Sequence, residues 1–187
     1  MSAILANFHP QEIWLGTDNL NAELGNLLQQ AKILNIPVRV HNAGDDFDQN
    51  QLHFHVFAPE RNGITQARRV NDDSLVMSVQ YGHTTALLEG DAENEAERRI
   101  AQEQPHADLL KVAHHGSATS SIPELLAAIQ PRFAVISVGT RNVYGHPRRE
   151  VLQRLANTKV RTYRTDLDGA TTFYLDGQTV IPATDLR

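Results

Sequence analysis

The sequence predicts a layered α/β domain. Three observations carry that reading. Residues 52–57, 75–81 and 84–88 are short apolar or alternating runs bounded by turn residues, as strands are. After residue 109, strand-like runs alternate with segments of helical spacing. The 187 residues are 41% hydrophobic and 21% charged, which gives enough apolar material for one domain with a core.

In chain order, residues 4–8 read as the tail of a helix ended by Pro10, and residues 12–16 as a short strand. Leu20, Leu24, Leu27, Leu28, Ala31 and Leu34 recur at helical spacing, so 18–34 is a helix broken by Asn35-Ile36-Pro37. Residues 38–40 form a strand, 44–51 an acidic turn and 52–57 a strand ended by Pro59. Residues 60–73 are polar and read as an extended loop. Gly82-His83 joins 75–81 and 84–88 as a hairpin. Residues 92–102 form a helix, with Glu93, Glu95 and Glu97 near its positive N-terminal end. Pro123 opens a helix to Ile129, 132–138 is a strand, Pro147 leads into a helix through Leu155, and 160–163 is a strand. Residues 170–175 and 180–181 close the chain as a hairpin around Asp176-Gly177.

Two segments carry the chemistry: Leu87-Leu88-Glu89-Gly90-Asp91, and Leu109 through His114-His115-Gly116-Ser117. Each is an apolar run that stops at residues able to bind metal. A carboxylate and an imidazole at neighbouring strand ends can share a divalent ion. The chain has no cysteine, which excludes disulfides and thiolate ligands. No apolar stretch approaches the roughly 20 residues of a membrane span, and no signal peptide opens the sequence. Residues 108–165 hold nine Lys and Arg against three acidic residues, a balance suited to an anionic substrate or to a merely solvated face.

Four motifs in order, Gly90-Asp91, Leu110 to Ser120, Ile136 to Leu152 with Tyr144-Gly145-His146-Pro147, and Tyr163 to Ala170, resemble the metallo-β-lactamase superfamily. The resemblance is closest to the C-terminal domain of the DNA-internalisation competence (ComEC) family. It covers residues 71 onward, more weakly the rest, and implies the C-terminal part of an αββα sandwich. It also implies a two-metal hydrolase using Mn²⁺ or Zn²⁺, acting on phosphodiesters and linked to DNA uptake. The H-x-H-x-D-H motif of that superfamily, or H-x-D-x-D-H in the competence branch, is not in the sequence. The chain is therefore expected to be a single, N-terminally incomplete domain over 1–187, weakly active or inactive alone. Its expected companions are DNA and an upstream half-domain or membrane channel domain. The alternatives are a non-catalytic remnant and a nucleic-acid-binding module without turnover.

By the same resemblance Asp91 is the bridging carboxylate and His115 a ligand of the second metal, with Asn71 where related branches place a histidine. Asp91 has a second reading as an N-cap for the helix after it, and Asn71 as a turn residue. His114 and His146 are the catalytic candidates. His114 alternatively packs under its loop, and His146 alternatively sits at a helix start. Ser74, Lys111, Ser117 and Tyr144 are expected substrate contacts. His53 and His55 sit in an alternating strand and are not expected to bind metal. His9, His41, His83 and His106 read as surface residues. If the front half of a sandwich is missing, Val76 and Leu87 are expected to lack cover and leave an apolar patch.

Overall fold

A computed structural model describes residues 2–16, 22–61 and 70–183. The first elements form a small unit: helix α1 (Ser2–Phe8), strand β1 (Ile13–Leu15), helix α2 (Ala22–Ile33) and strand β2 (Val38–Val40). β1 and β2 pair in parallel. Leu5, Ala31 and Ile36 are buried between them and the two helices. The expected helix start at 18 lies outside the described residues.

The main sheet has seven strands in chain order: β3 (Asp46–Gln49), β4 (Leu52–Ala58), β5 (Val76–Tyr81), β6 (Thr84–Leu88), β7 (Leu109–Lys111), β8 (Phe133–Ile136) and β9 (Arg161–Arg164). β3 to β6 are antiparallel hairpins; β6 to β9 are parallel. The parallel half needs crossovers, supplied by helices α3 (Asn94–Gln102), α4 (Pro123–Ile129) and α5 (Arg149–Asn157). A one-turn helix α6 (Thr165–Asp168) and the hairpin β10 (Phe173–Leu175) and β11 (Val180–Pro182) complete the chain. Among the described residues no helix is long and apolar enough to cross a membrane.

The three crossover helices bury one sheet face. Ile100, Leu125, Leu126, Ile129, Val151 and Leu155 pack there on Val76, Leu87, Leu110, Ala134 and Ile136. This overturns the expectation that Val76 and Leu87 lack cover, since both are fully buried. Side chains alternate across a strand, and these two point to the helix side. On the opposite face Trp14 packs edge-on to Phe54 at 4.9 Å and to Phe47 at 5.1 Å. The β10–β11 hairpin brings Val180 and Phe173 against Phe133 and Tyr163. Between these two covers Leu88 stays 40% exposed.

The expected acidic turn at 44–51 contains strand β3 instead. Phe47 turns into the Trp14 cluster while Asp46 and Asp48 face outward, where they pair with His55 and His53, each at 2.9 Å. Those two histidines are thus cross-strand partners of carboxylates. His41, read as a surface residue, is buried and stacks on Phe47 at 4.5 Å.

Buried carboxylates tie the loops around the sheet's parallel half. Asp72 Oδ1 accepts from the backbone N–H of Glu93 and Ala96, capping α3 from a distant turn. The helix starts at Asn94, so the N-cap reading of Asp91 does not hold. Glu97 accepts from the backbone N–H of Ser121 at 2.6 Å and of Ile122 at 2.8 Å. Burial raises its pKa from 4.5 to about 7, against the pull of those two amides and of Arg154. A carboxyl with a raised folded-state pKa holds its proton while the unfolded chain releases it. Stability is therefore expected to fall as pH rises from about 4.5 through 7, once the unfolded carboxyl ionises. Denaturant titrations across that window should show a flatter slope in Glu97→Gln; an unchanged slope means another group sets it.

Candidate metal centre

The parallel strands β6 and β7 end at the same edge of the sheet, and each runs on into one of the two motifs. After β6, Gly90 takes a positive φ of 56° and turns the chain. The Asp91 N–H then donates to Ser74 Oγ at 3.2 Å. After β7, His114, His115 and Gly116 all take positive φ, at 44°, 55° and 79°. That conformation is costly for two successive non-glycine residues and is held by its surroundings. The His114 N–H donates to Gly90 O at 3.1 Å and the Ser117 N–H to His114 O at 2.9 Å. The first of these bonds ties the two motif loops together.

His115 Nδ1 lies 2.7 Å from the Ser137 carbonyl, which can only accept, so Nδ1 carries the proton. In the neutral ring Nε2 then keeps its lone pair, and it lies 3.8 Å from Asp91 Oδ1. An imidazole fixed by a backbone carbonyl on one nitrogen is the usual form of a metal-ligating histidine. A divalent ion about 2.0–2.2 Å from nitrogen and oxygen donors fits between the two atoms. The fit is partial. Among the described residues no group of three or more His, Cys, Asp or Glu side chains gathers to hold a metal. A catalytic site needs about three protein ligands.

Asn71 stands apart from that pair. Its Nδ2 donates to Glu93 Oε1 at 3.0 Å and lies 3.5 Å from His114 Nδ1. His114 Nδ1 is 3.6 Å from the same Glu93 oxygen. Asn71, Glu93 and His114 thus form one polar cluster beside the Asp91–His115 pair. Glu93 is the member sequence reasoning missed. Two residues after Asp91 and at a helix start, it reads as a dipole-complementing residue.

His146 lies between His114, at 5.8 Å between ring centres, and Tyr144, stacked at 6.1 Å. Burial and then the Arg148, His114 and His115 charges lower its pKa, which favours the neutral imidazole. That state suits a proton acceptor better than a donor. A cavity of about 400 Å³ opens beside these residues, lined by His115, Ser137, Val138, Asn142, Tyr144 and His146 among others. Lys111 is half-buried on β7 and donates to Gly90 O at 3.3 Å. Burial lowers its pKa, against the nearby charges of Asp91 and Glu89. Ser74 supports the Asp91 backbone, and Ser117 Oγ lies 3.1 Å from Thr119 Oγ1 inside its own turn.

The basic segment divides in the fold. Arg154 donates to the carbonyls of Ala118 and Ser120, and Arg164 pairs with Asp166 at 2.6 Å. The Arg132 and Arg161 guanidinium groups lie over aromatic rings. Arg141, Arg148 and Arg149 are exposed.

No family model matches the chain. It is 37% identical over 145 residues to ComE operon protein 3 of Bacillus subtilis, a match covering 76% of this chain and 18% of that protein. It is 35% identical over 120 residues to Competence protein ComA of Neisseria gonorrhoeae, covering 63% of this chain and 17% of that protein. The chain therefore spans under a fifth of the length of these relatives. Among solved structures, a protein from Parabacteroides distasonis described as a metal-dependent hydrolase superposes with a TM-score of 0.50. Their identity is 11%, over 83% of this chain and 64% of that one, which speaks to the fold alone.

Proposed function

We propose that this chain, a homologue of the ComEC-family competence proteins with a metallo-β-lactamase-type fold, contributes part of a metal-dependent phosphodiesterase site that acts on DNA. The observation that carries this reading is the His115 Nε2–Asp91 Oδ1 pair, 3.8 Å apart, with His115 Nδ1 held on the Ser137 carbonyl. Two donors do not make a closed site. On this reading the remaining ligands come from outside residues 1–187, in the H-x-D-x-D-H pattern that the family resemblance implies.

When bound in the complete domain, divalent metals supply an activated water and a clamp on a phosphodiester oxygen. This chain's own residues have separate tasks. Asp91 and His115 present ligand atoms, and Ser74 and Ser137 fix their positions. His114, oriented by Glu93 and Asn71, lies beside His146, with 5.8 Å between the ring centres. Arg141, Arg148 and Arg149 offer charge to a phosphate backbone.

A second reading, nucleic-acid binding without turnover, is favoured by the shortage of ligands beside that exposed arginine group. The two separate in one assay. The chain is titrated with Mn²⁺ or Zn²⁺ and given single-stranded DNA, beside a version extended upstream to include the H-x-D-x-D-H motif. Weak metal binding and little cleavage are expected from the 187 residues, with cleavage appearing in the extended protein and vanishing with Asp91→Ala. Robust metal-dependent cleavage by the short chain, lost on Asp91→Ala, would overturn the assignment of ligands. An extended protein that binds DNA but never cleaves it favours the second reading.

A further inference from the structure

We infer that Tyr144 is a stacking platform for an unpaired nucleobase, so that the cleft takes single-stranded rather than duplex DNA. The inference rests on the DNA reading above and adds the mode of recognition. Tyr144 is 70% exposed, and its neighbour Val143 is 89% exposed. Solvent-facing apolar side chains of this size do not serve the core, and Tyr144 lines the cavity that His115 also lines. The His146 ring lies nearly parallel to the Tyr144 ring, 14° off, with centres 6.1 Å apart. An exposed ring with a parallel aromatic neighbour is ready to receive a base beside it.

The loop that carries the ring is braced in advance. The Asn142 side chain donates from Nδ2 to the carbonyls of Gly139 and His146, at 3.1 and 2.8 Å. It accepts from the His146 N–H at 2.9 Å. One amide thus closes the loop at both ends and holds Tyr144 between them. Little ordering cost is left to charge against binding.

The electrostatics agree. Among the described residues, none that lines the cavity is acidic. The Arg148 guanidinium lies beside Gly145, where a Cβ would be 3.6 Å from its Nη1, so a cation sits next to the residue that follows Tyr144. Arg141 is exposed on the same loop. Aromatic faces interleaved with cations are how single strands are held without sequence readout. A cavity of about 400 Å³ is within the range of small-ligand sites and has room for one extruded base. A base paired in a duplex presents no free face to Tyr144, which is why the strand must be single.

The experiment measures binding without metal, in a chelator, so that the missing ligands play no part. The probes are a fluorescent oligodeoxyadenylate, its duplex, and an abasic backbone of the same length. Wild type should bind the single strand more tightly than the duplex. Tyr144→Ala should weaken single-strand binding about tenfold, within the range that loss of one base stack produces. Tyr144→Phe should bind as wild type, and the abasic backbone should bind all three proteins alike. Because Tyr144 is mostly exposed, each variant should melt with wild type. Equal single-strand affinity in wild type and Tyr144→Ala overturns the stacking role and leaves the DNA reading intact. Equal losses in Tyr144→Ala and Tyr144→Phe assign the effect to the hydroxyl and also overturn it. Wild type that binds none of the probes overturns the DNA reading and the platform together.

Discussion

Replacing Glu97 by alanine should destabilise the fold by about 2–5 kcal/mol. The residue is fully buried on α3, and its two oxygens receive the N–H groups of Ser121 and Ile122. Those amides lead into α4, whose first turn begins with Pro123. Truncation leaves two donors without a partner in a dry interior, and each buried orphan costs about 1–3 kcal/mol. A cavity where the side chain stood adds to the loss. One effect opposes it, because removing Glu97 relieves the neighbouring buried Glu89, whose pKa burial and the Glu97 charge raise well above the ordinary value. The orphaned amides outweigh that relief, since they are lost at every pH while the repulsion acts only when both groups are ionised. For a chain of this length the melting temperature should fall by about 5–20 °C. Glu97→Gln keeps one acceptor and should lose less than half as much. A thermal melt of Glu97→Ala within about 2 °C of wild type, on the same scaling, would show that the loop before α4 finds other partners.

The two strand ends that present Asp91 and His115 were legible because each is an apolar run cut off by polar residues. That pattern survives in a sequence read alone: Leu87 and Leu110 face the helices, and the chain turns at the next polar residues. β3 was not legible. Its single large apolar residue, Phe47, lies between two aspartates, and only the cross-strand contact with Phe54 and Trp14 makes the alternation meaningful. The cover over Val76 and Leu87 was misjudged for a related reason. A period of two shows that strand faces differ, and it does not say which face the helices take. The basic segment looked continuous because composition cannot see that Arg154, Arg164, Arg132 and Arg161 are committed to carbonyls, a carboxylate and aromatic rings. Glu93 and Asn71 meet His114 across 21 and 43 residues of chain, and no local spacing marks that cluster.

Gly116→Ala should disturb the candidate metal centre more than any substitution that leaves its ligands in place. The residue ends the His114-His115 turn at φ 79°, a conformation that costs an alanine about 1–2 kcal/mol. Space is lacking as well. A Cβ there would lie 2.7 Å from Pro147 Cβ and 3.1 Å from Pro147 Cα, and the second atom is backbone that cannot rotate aside. The Arg148 N–H donates to Gly116 O at 2.8 Å, so the His114-His115 turn and the Tyr144–Pro147 loop are joined at this point. Making room for a methyl group means separating them. His115 would then shift against Asp91, and Tyr144 against the cavity. The expected result is a loss of about 2–4 kcal/mol, combining the conformational cost with the strain of overpacking. Weaker Zn²⁺ or Mn²⁺ binding and weaker binding of single-stranded DNA should accompany it, although no ligand atom has been removed. Gly139→Ala is the control: it lines the same cavity, has nothing within 4 Å of its Cβ position, and should stay within about 0.5 kcal/mol of wild type. Calorimetry and a metal titration on the two variants decide the matter. Should Gly116→Ala melt and bind metal as Gly139→Ala does, the two loops are independent, and the tight contact at Pro147 does not set the geometry of the Asp91–His115 pair.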